Sequence, residues 1–275
     1  MATFSLDDVR AVCKRRDAWW TVVLVDPIAT RLTWAVANRT SFTPNQITLT
    51  AFAFGMGAAG CFVQGSAEWL ALGALLYHLG FVLDCIDGKI ARLKGNGSPF
   101  GAWLDFMLDR VRDGICALAL ALGQFDETGR VAYVWLGFSI VALDMLRYLN
   151  GPQIAKARRR MATGRQRPGS RKRSSREYRL RRSLVRRRIR PHLFSGIEFQ
   201  MATFIVAPLT GVIIPVIAAA GVMLLVFEFL LIYRFWRGCR AYARRIEAEG
   251  PAVPPGAVPA PRTGSESPSL QKTLA

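Results

Sequence analysis

Four aspartates recur at short intervals within an apolar part of the chain. Asp84, Asp87, Asp105 and Asp109 stand in "DCIDGKIARLKGNGSPFGAWLDFMLD" (84–109), between the apolar runs "LGALLYHLGFVL" and "GICALALALG". A carboxylate at bilayer depth costs roughly 2.5–3.5 kcal/mol on insertion scales. Acids in such a place therefore indicate a functional site.

The spacing of these acids places them on two helix faces. With about 3.6 residues per helical turn, Asp84 and Asp87 share one face, and Asp105 and Asp109 share another. The intervening "LKGNGSPF" (93–100) contains two glycines and a proline, which favour a turn. We therefore predict a helical hairpin that brings the two acidic faces together near the cytoplasmic surface.

Carboxylates held together repel one another and require neutralisation. Hard divalent cations with oxygen ligands provide it, and Mg²⁺ or Mn²⁺ is favoured over Zn²⁺ because no His or Cys joins the cluster. Gly88, Ala91 and Gly101 keep the acidic faces free of bulk. Such small residues leave room for a ligand or let helix backbones approach closely.

The bulk composition is that of a membrane protein. The chain has 275 residues, is 51% hydrophobic and carries a formal net charge of +18. Apolar content and charge coexist at this level when the charges are confined to loops, which argues against a soluble domain. No signal peptide is evident, and the five scattered cysteines are interpreted as free thiols.

The hydrophobic pattern predicts an all-α integral membrane fold with six transmembrane helices, preceded by an N-terminal interfacial amphipathic helix. Loops rich in Lys and Arg alternate with loops that nearly lack them, which places both termini in the cytoplasm. The spans are predicted at about 45–63, 69–92, 101–125 and 131–148, with two more between 194 and 236 that are separated by a turn near 210–215.

Three segments follow from this pattern. Residues 1–40 are predicted to be a cytoplasmic or interfacial segment, 41–238 a six-helix transmembrane domain, and 239–275 a disordered cytoplasmic tail. The domain includes a basic cytoplasmic loop, 151–190, with seventeen Lys or Arg and one acid, Glu177. That loop is predicted to be largely flexible until it meets an anionic surface.

The acidic segment resembles the signature of the CDP-alcohol phosphotransferases, also called CDP-alcohol phosphatidyltransferases. The pattern D-x2-D-G-x2-A-R-x8-G-x3-D-x3-D is present in full from Asp84 to Asp109. The resemblance covers these 26 residues most specifically, and "TPNQIT" (43–48) and the predicted six spans extend it. Neither the basic loop nor the tail has a counterpart in the common pattern.

The resemblance implies a role for each matching residue. Asp84, Asp87 and Asp105 would bind two divalent cations, Mg²⁺ or Mn²⁺, and Asp109 would complete the second site and act as the catalytic base. The residues implied in binding the cytidine diphosphate are Gly88, Ala91, Arg92, Gly101 and, as a weaker correspondence, Asn45. The reaction implied is metal-dependent transfer of a phosphatidyl or other substituted phosphoryl group from a CDP-alcohol to an acceptor alcohol, with release of CMP, in phospholipid or related polar-lipid biosynthesis.

Several alternatives stay open at this level. The donor is expected to be CDP-diacylglycerol or a water-soluble CDP-alcohol, and the acceptor a polar alcohol, phosphorylated or not, including an inositol-phosphate-type substrate. Arg147, Arg234 and Arg237 either hold a phosphorylated acceptor or anchor the helices at the cytoplasmic surface. A divalent-ion transporter and a catalytically inactive scaffold are the competing classes.

Partners are predicted from the basic loop and from the resemblance. The loop favours binding to anionic membrane lipid, with roughly 1 kcal/mol contributed by each basic residue near the surface. It contains one aromatic residue, Tyr178, and therefore lacks the stacking platform that nucleic-acid binding uses. The resemblance implies a homodimer in the cell membrane, with the active site facing the cytoplasm.

Overall fold

The described part of the chain is built from helices. The computed structural model describes residues 3–162, 188–190 and 194–249. Within these ranges the extended structure is limited to one isolated parallel bridge between Asp17 and Ile189. The helices are α1 (Leu6–Ala11), α2 (Asp26–Arg39), α3 (Pro44–Val63), α4 (Ala67–Lys94), α5 (Pro99–Thr128), α6 (Ala132–Ala162), α7 (Gly196–Met201), α8 (Ala207–Thr210) and α9 (Ile213–Glu249). Single π-helical turns, Thr21–Val25 and Ala202–Val206, lead into α2 and α8.

The helices begin and end where local chemistry satisfies their terminal backbone groups. Thr43 caps α3 in a capping box with Gln46, whose side-chain oxygen accepts a hydrogen bond from the Thr43 backbone N–H. Ser98 caps α5 by accepting a hydrogen bond from the backbone N–H of Gly101 at 2.9 Å. Gly95 ends α4 in a left-handed conformation, φ 65°, that suits glycine. The predicted turn between the two acidic helices is thereby confirmed.

The turn predicted near 210–215 is also present, but two helices extend beyond their predicted limits. Gly211 takes a left-handed conformation between α8 and α9. The prediction that 151–190 is a flexible loop is wrong for its first twelve residues, because α6 continues to Ala162. The predicted disordered tail is likewise wrong for 239–249, which belong to α9. Both extensions are rich in Ala and Arg, which favour helix once a long span has nucleated it.

Other predictions fall on residues beyond this description. The central part of the basic loop, 163–187, lies outside the described residues, as do 191–193 and the tail from 250 onward. The proposed flexibility of these segments, and their binding to lipid, stay predictions.

Four helices in the described ranges are long and apolar enough to cross a membrane: α3, α4, α6 and α9. Helix α5 carries too many charges for this criterion, yet it exposes a row of large apolar side chains: Val111, Ile115, Leu118 and Leu122. Those positions recur every three or four residues and so form one face. Helix α5 therefore combines an apolar outer face with a polar inner one.

The N-terminal segment packs against the bundle while it exposes a second apolar face. Val25 and Ala29 are fully buried, whereas Ile28 and Leu32 are 50% and 42% exposed. The segment is tied to α4 by the pair between Asp26 Oδ1 and Lys89 Nζ, 3.0 Å apart. Its two-faced character fits the predicted interfacial helix, whose membrane position stays a prediction.

Candidate active site

Three of the four aspartates come together where α4 and α5 face each other. Asp84, Asp105 and Asp109 each offer a carboxylate oxygen, and these oxygens lie within 4.8 Å of one another. Asp105 Oδ1 is buried and has no hydrogen-bond partner in the described part of the chain. Since a buried carboxylate oxygen otherwise needs a donor, this atom is suited to a cation. We call these residues the acidic cluster.

The fourth aspartate lies apart from that group. Asp87 is 5% exposed, and its Oδ2 accepts a hydrogen bond from the Thr48 hydroxyl on α3. It lines a cavity together with Asp105, so the two carboxylates are accessible from the same space. The structure therefore brings three aspartates together and places Asp87 at an adjoining position.

The residues that the signature implies in nucleotide binding share one cavity. This space of about 220 Å³, which we call the glycine-rich cavity, opens between α3, α4 and the start of α5. Its lining includes all five such residues, Asn45, Gly88, Ala91, Arg92 and Gly101, together with Thr48, Asp87, Gly97, Ser98 and Asp105.

The Asn45 side chain approaches α5 closely at Gly101, another residue that lines this cavity. A Cβ atom there would lie 2.7 Å from Asn45 Oδ1 and 3.1 Å from Ser98 Oγ. The absence of a side chain at Gly101 therefore lets the Asn45 amide reach the space beside Asp105. This contact places Asn45, which the sequence suggested only weakly, among the cavity residues.

Arg92 connects this cavity to the N-terminal segment. Its Nε donates to the carbonyl oxygen of Val12 at 2.8 Å, which steadies an exposed side chain. A Cβ at Gly88, one turn earlier on α4, would lie 3.3 Å from Arg92 Nη1. Glycine there leaves room for the guanidinium over the helix surface.

A second cavity of about 270 Å³ adjoins the acidic cluster. Asp84, Asp105 and Asp109 line it, and so do five cationic side chains: Lys14, Arg110, Arg112, Arg147 and Arg190. We call it the cationic cavity. Asp105 lines both cavities and is therefore the point at which they meet. An anion bound among these cations would lie beside the acidic cluster.

Buried ion pairs fix the inner wall of the cationic cavity. Arg112, with a side chain 3% exposed, pairs through Nη1 with Asp109 Oδ1 at 2.9 Å and through Nε with Asp113 Oδ1 at 3.1 Å. Asp113 also accepts from the Tyr77 hydroxyl at 2.7 Å and from Gln200 Nε2 at 2.7 Å. The ion pair with Arg112 thus restrains the orientation of the Asp109 carboxylate.

Arg110 extends this network to α6. Its Nη2 lies 2.8 Å from Asp113 Oδ2, its Nη1 pairs with Asp144, and its guanidinium lies 3.5 Å over the Tyr148 ring. Gln200 reaches Asp144 Oδ1 as well, at 3.2 Å. Four helices are thereby connected by polar contacts at the level of the site.

Sequence reasoning missed this network. The charged residues of "DRVRD" (109–113) were a usable signal, since arginines in a membrane helix require partners. Their partners on α4, α6 and α7 depend on tertiary packing. Of the arginines considered for the acceptor, Arg147 lines the cationic cavity, whereas Arg234 and Arg237 are exposed on α9.

The fold and the site together define a class of protein. It is a helical membrane protein with a carboxylate cluster suited to hard divalent cations, set between a glycine-rich cavity and a cationic one. Comparison with known families gives a closer assignment. The family model for CDP-alcohol phosphatidyltransferase matches residues 41–167 of the chain.

Curated relatives share part of this sequence. An archaetidylinositol phosphate synthase of Methanothermobacter thermautotrophicus is 33% identical over 99 residues, 36% of this chain and 49% of the relative. A bifunctional IPC transferase and DIPP synthase of Aquifex aeolicus is 37% identical over 95 residues, 34% of this chain and 21% of the relative. A phosphatidylinositol phosphate synthase of Corynebacterium glutamicum is 37% identical over 93 residues, 34% of this chain and 39% of the relative. The chain thus spans half or less of these relatives' lengths.

Proposed function

We propose that the protein transfers a phosphatidyl or similar substituted phosphoryl group from a CDP-alcohol to a phosphorylated polar alcohol and releases CMP. One observation carries the proposal: Asp105 of the acidic cluster lines both the glycine-rich cavity and the cationic cavity. A nucleotide in the first cavity and an anionic acceptor in the second would meet at the cluster. Such an arrangement supplies the positioning on which phosphoryl transfer depends.

The donor nucleotide is assigned to the glycine-rich cavity. Asn45 and Arg92 supply an amide and a guanidinium there, and Gly88 and Gly101 keep the space open. An arginine binds diphosphate oxygens with short, charge-assisted hydrogen bonds. CDP-diacylglycerol is the donor we favour, because a lipid donor suits a site set within membrane helices.

The acceptor is assigned to the cationic cavity. Its arginines and Lys14 favour a phosphorylated alcohol over a neutral one, since a phosphate is well matched to guanidinium donors. The three relatives described above carry inositol phosphate or DIPP synthase in their names, which supports an inositol phosphate as acceptor. We therefore propose inositol 1-phosphate as the first candidate.

Asp109 is proposed as the base. The acceptor hydroxyl oxygen forms a bond to the phosphorus that bears the donor's alcohol, the bond from that phosphorus to CMP breaks, and the hydroxyl proton passes to Asp109. The Arg112 contact engages one carboxylate oxygen, Oδ1, and we assign the proton to the other, Oδ2. An Asp109→Asn variant that binds metal and nucleotide and keeps full turnover would contradict this role.

The acidic cluster fits Mg²⁺ or Mn²⁺, and we propose two such ions, held by Asp84, Asp105 and Asp109 and, from the adjoining position, by Asp87. When bound, they would neutralise the charge that develops on the departing CMP. The oxygen-only donor set and the unpartnered Asp105 Oδ1 support this proposal.

The membrane arrangement is proposed to comprise six spans. Helix α5 and the segment from α7 to α8 join the four helices that satisfy the length and composition criterion. The basic loops place the site and both termini in the cytoplasm by the positive-inside rule. Residues 41–238 would then form the catalytic domain, in a homodimer of the cell membrane.

The decisive experiment measures CMP release by the purified protein. We would supply CDP-diacylglycerol and Mg²⁺ or Mn²⁺, with inositol 1-phosphate, glycerol 3-phosphate, inositol, serine or phosphatidylglycerol as acceptor. The expected result is CMP release that depends on inositol 1-phosphate. Asp105→Asn should abolish it, whereas Asp126→Asn, an exposed acid on the same helix, should not.

Other outcomes would redirect the proposal. Release with a neutral acceptor alone would remove the acceptor assignment and leave the reaction class intact. The absence of CMP release with these acceptors, and also with a water-soluble CDP-alcohol donor, would contradict the proposed reaction and favour the inactive scaffold.

A further inference from the structure

A buried acid stands in α9, one of the four helices apolar enough to cross a membrane. Glu228 is 1% exposed, and α9 has the highest mean hydropathy of the four candidate spans. It occupies the next position of a buried stripe formed by Ile213, Ile217, Ala220 and Leu224, where packing alone would favour an aliphatic residue. An ionisable side chain inside a membrane helix is costly to retain, which makes it a candidate for a functional role.

Glu228 contacts two residues one turn apart on α6. Its Oε1 accepts from Arg147 Nη1 at 2.9 Å, and its Oε2 accepts from Asn150 Nδ2 at 2.6 Å. Both carboxylate oxygens are therefore engaged, and the side chain is fixed between the two helices. Because Arg147 lines the cationic cavity, this contact links the interior of α9 to that cavity.

The remaining surroundings of Arg147 also restrict its side chain. Its guanidinium lies 5.1 Å from the centre of the Phe227 ring, and its aliphatic part lies against Gly196. A Cβ at Gly196 would lie 3.2 Å from Arg147 Cγ, so the start of α7 leaves just enough room for this side chain. An arginine has five N–H donors, and Nη1 alone is committed to Glu228, so further donors can serve an anion.

We infer that Glu228 is a positioning residue for the acceptor: it holds Arg147 in the cationic cavity so that the guanidinium binds the acceptor's phosphate. This inference rests on the proposed function. It concerns a residue outside the 41–167 family match, on a helix that contributes no aspartate to the acidic cluster. The preorganised arginine would bind phosphate without first losing side-chain freedom.

A purely structural pair would behave differently. Breaking a buried ion pair from one side leaves an uncompensated charge and destabilises the fold. Such a loss would lower thermal stability without a selective effect on one substrate. A positioning role instead raises KM for the acceptor and leaves kcat and the donor KM unchanged, because the contact is made equally in ground and transition states.

The test compares Glu228→Gln with the wild-type enzyme in detergent or nanodiscs. We expect KM for inositol 1-phosphate to rise about tenfold, with KM for CDP-diacylglycerol and kcat changed by less than about twofold. Inhibition by inorganic phosphate should weaken by a similar factor. Glu247→Gln, the same substitution at an exposed position of α9, should leave all three quantities unchanged.

Two further variants separate positioning from folding. Glu228→Asp keeps the charge but shortens the side chain, and it should give a smaller increase in acceptor KM than Glu228→Gln. The double variant R147Q/E228Q removes both charges, so that no unpaired buried charge remains. It should show an acceptor KM at least as high as that of Glu228→Gln, with the two effects far from additive. An unchanged acceptor KM in Glu228→Asp and in the double variant would overturn the inference, whatever their stability.

A binding measurement distinguishes this inference from the proposed function. Inositol 1-phosphate should raise the Tm of the wild-type protein and of Glu247→Gln, but raise that of Glu228→Gln much less. This pattern without CMP release would support the Glu228 role and refute the proposed reaction. Normal CMP release by Glu228→Gln, with an unchanged acceptor KM and an unchanged rise in Tm, would refute the Glu228 role and leave the proposed reaction supported.

Discussion

Arg112 and Asp109 lie one helical turn apart on α5, and their side chains meet at 2.9 Å between Nη1 and Oδ1. The same guanidinium reaches Asp113 through Nε, so one buried arginine joins the acidic cluster to a carboxylate behind it. The rigid fork of arginine allows both contacts at once. The orientation of the proposed base therefore depends on a residue outside the signature pattern.

Replacement of Arg112 by Lys should impair turnover strongly. A single ammonium cannot reproduce the two directed contacts to Asp109 and Asp113, and we expect kcat to fall about 10- to 100-fold. The measurement is CMP release under saturating substrates, with Arg130→Lys at an exposed position as the matched control. Wild-type kcat in Arg112→Lys would show that Asp109 needs only a nearby positive charge.

Gly55→Ala should disturb the same arginine from the opposite side. A Cβ on Gly55 of α3 would clash with both Cγ and Cδ of Arg112, so the side chain or the helix must shift. We expect a loss of about 1–3 kcal/mol in stability, as for other overpacked sites, together with reduced kcat.

Gly60→Ala provides the control for that change. It lies on the same helix, and its Cβ would meet nothing within 4 Å. Gly60→Ala should leave kcat unaltered. Thermal unfolding measures the stability of both variants, and CMP release measures their kcat. Equal stability and equal kcat in Gly55→Ala and Gly60→Ala would show that Arg112 can move away from α3 without loss of stability or activity.

The parts of this fold that the sequence predicts are those determined by local pattern. The hairpin between α4 and α5 follows from Gly95, Gly97 and Pro99 and from the spacing of the aspartates. The continuation of α6 to Ala162 was missed because seventeen basic residues suggested an unfolded loop from position 151. High charge does not end a helix that an apolar span has already nucleated.

The contacts that complete the site depend on packing between distant segments. Asp113 meets Gln200 across 87 positions of sequence, and Arg147 meets Glu228 across 81. A lone glutamate in an apolar helix signals that a partner is required, but its identity emerges only when α6 and α9 pack together. The proximity of Asp84, Asp105 and Asp109 could be predicted from sequence, because intervals of three and four residues place the aspartates of each helix on one face.

The separate position of Asp87 leads to a prediction about metal stoichiometry. We expect the wild-type protein to bind two Mn²⁺ per chain, and Asp87→Asn to bind one with reduced CMP release. Asp105→Asn should bind neither tightly, because Asp105 faces both cavities. Mn²⁺ titration followed by electron paramagnetic resonance measures this, after EDTA has removed endogenous metal.

Asp126→Asn is the matched control for that titration, since it changes an exposed acid on α5. It should bind the same number of ions as the wild type. Two tightly bound ions in Asp87→Asn would exclude Asp87 as a ligand and leave it as the hydrogen-bond partner of Thr48.

Gly101→Ala should weaken binding of the donor nucleotide. Its Cβ would lie 2.7 Å from Asn45 Oδ1, so the Asn45 amide must move out of the glycine-rich cavity or into the space proposed for the nucleotide. We expect KM for CDP-diacylglycerol to rise at least about tenfold, with the acceptor KM little changed.

Gly114→Ala, also on α5, adds a methyl group that meets nothing within 4 Å and should leave the donor KM unchanged. An increase in acceptor KM alone would reverse the assignment of the two cavities, because the donor would then occupy the cationic side of the acidic cluster.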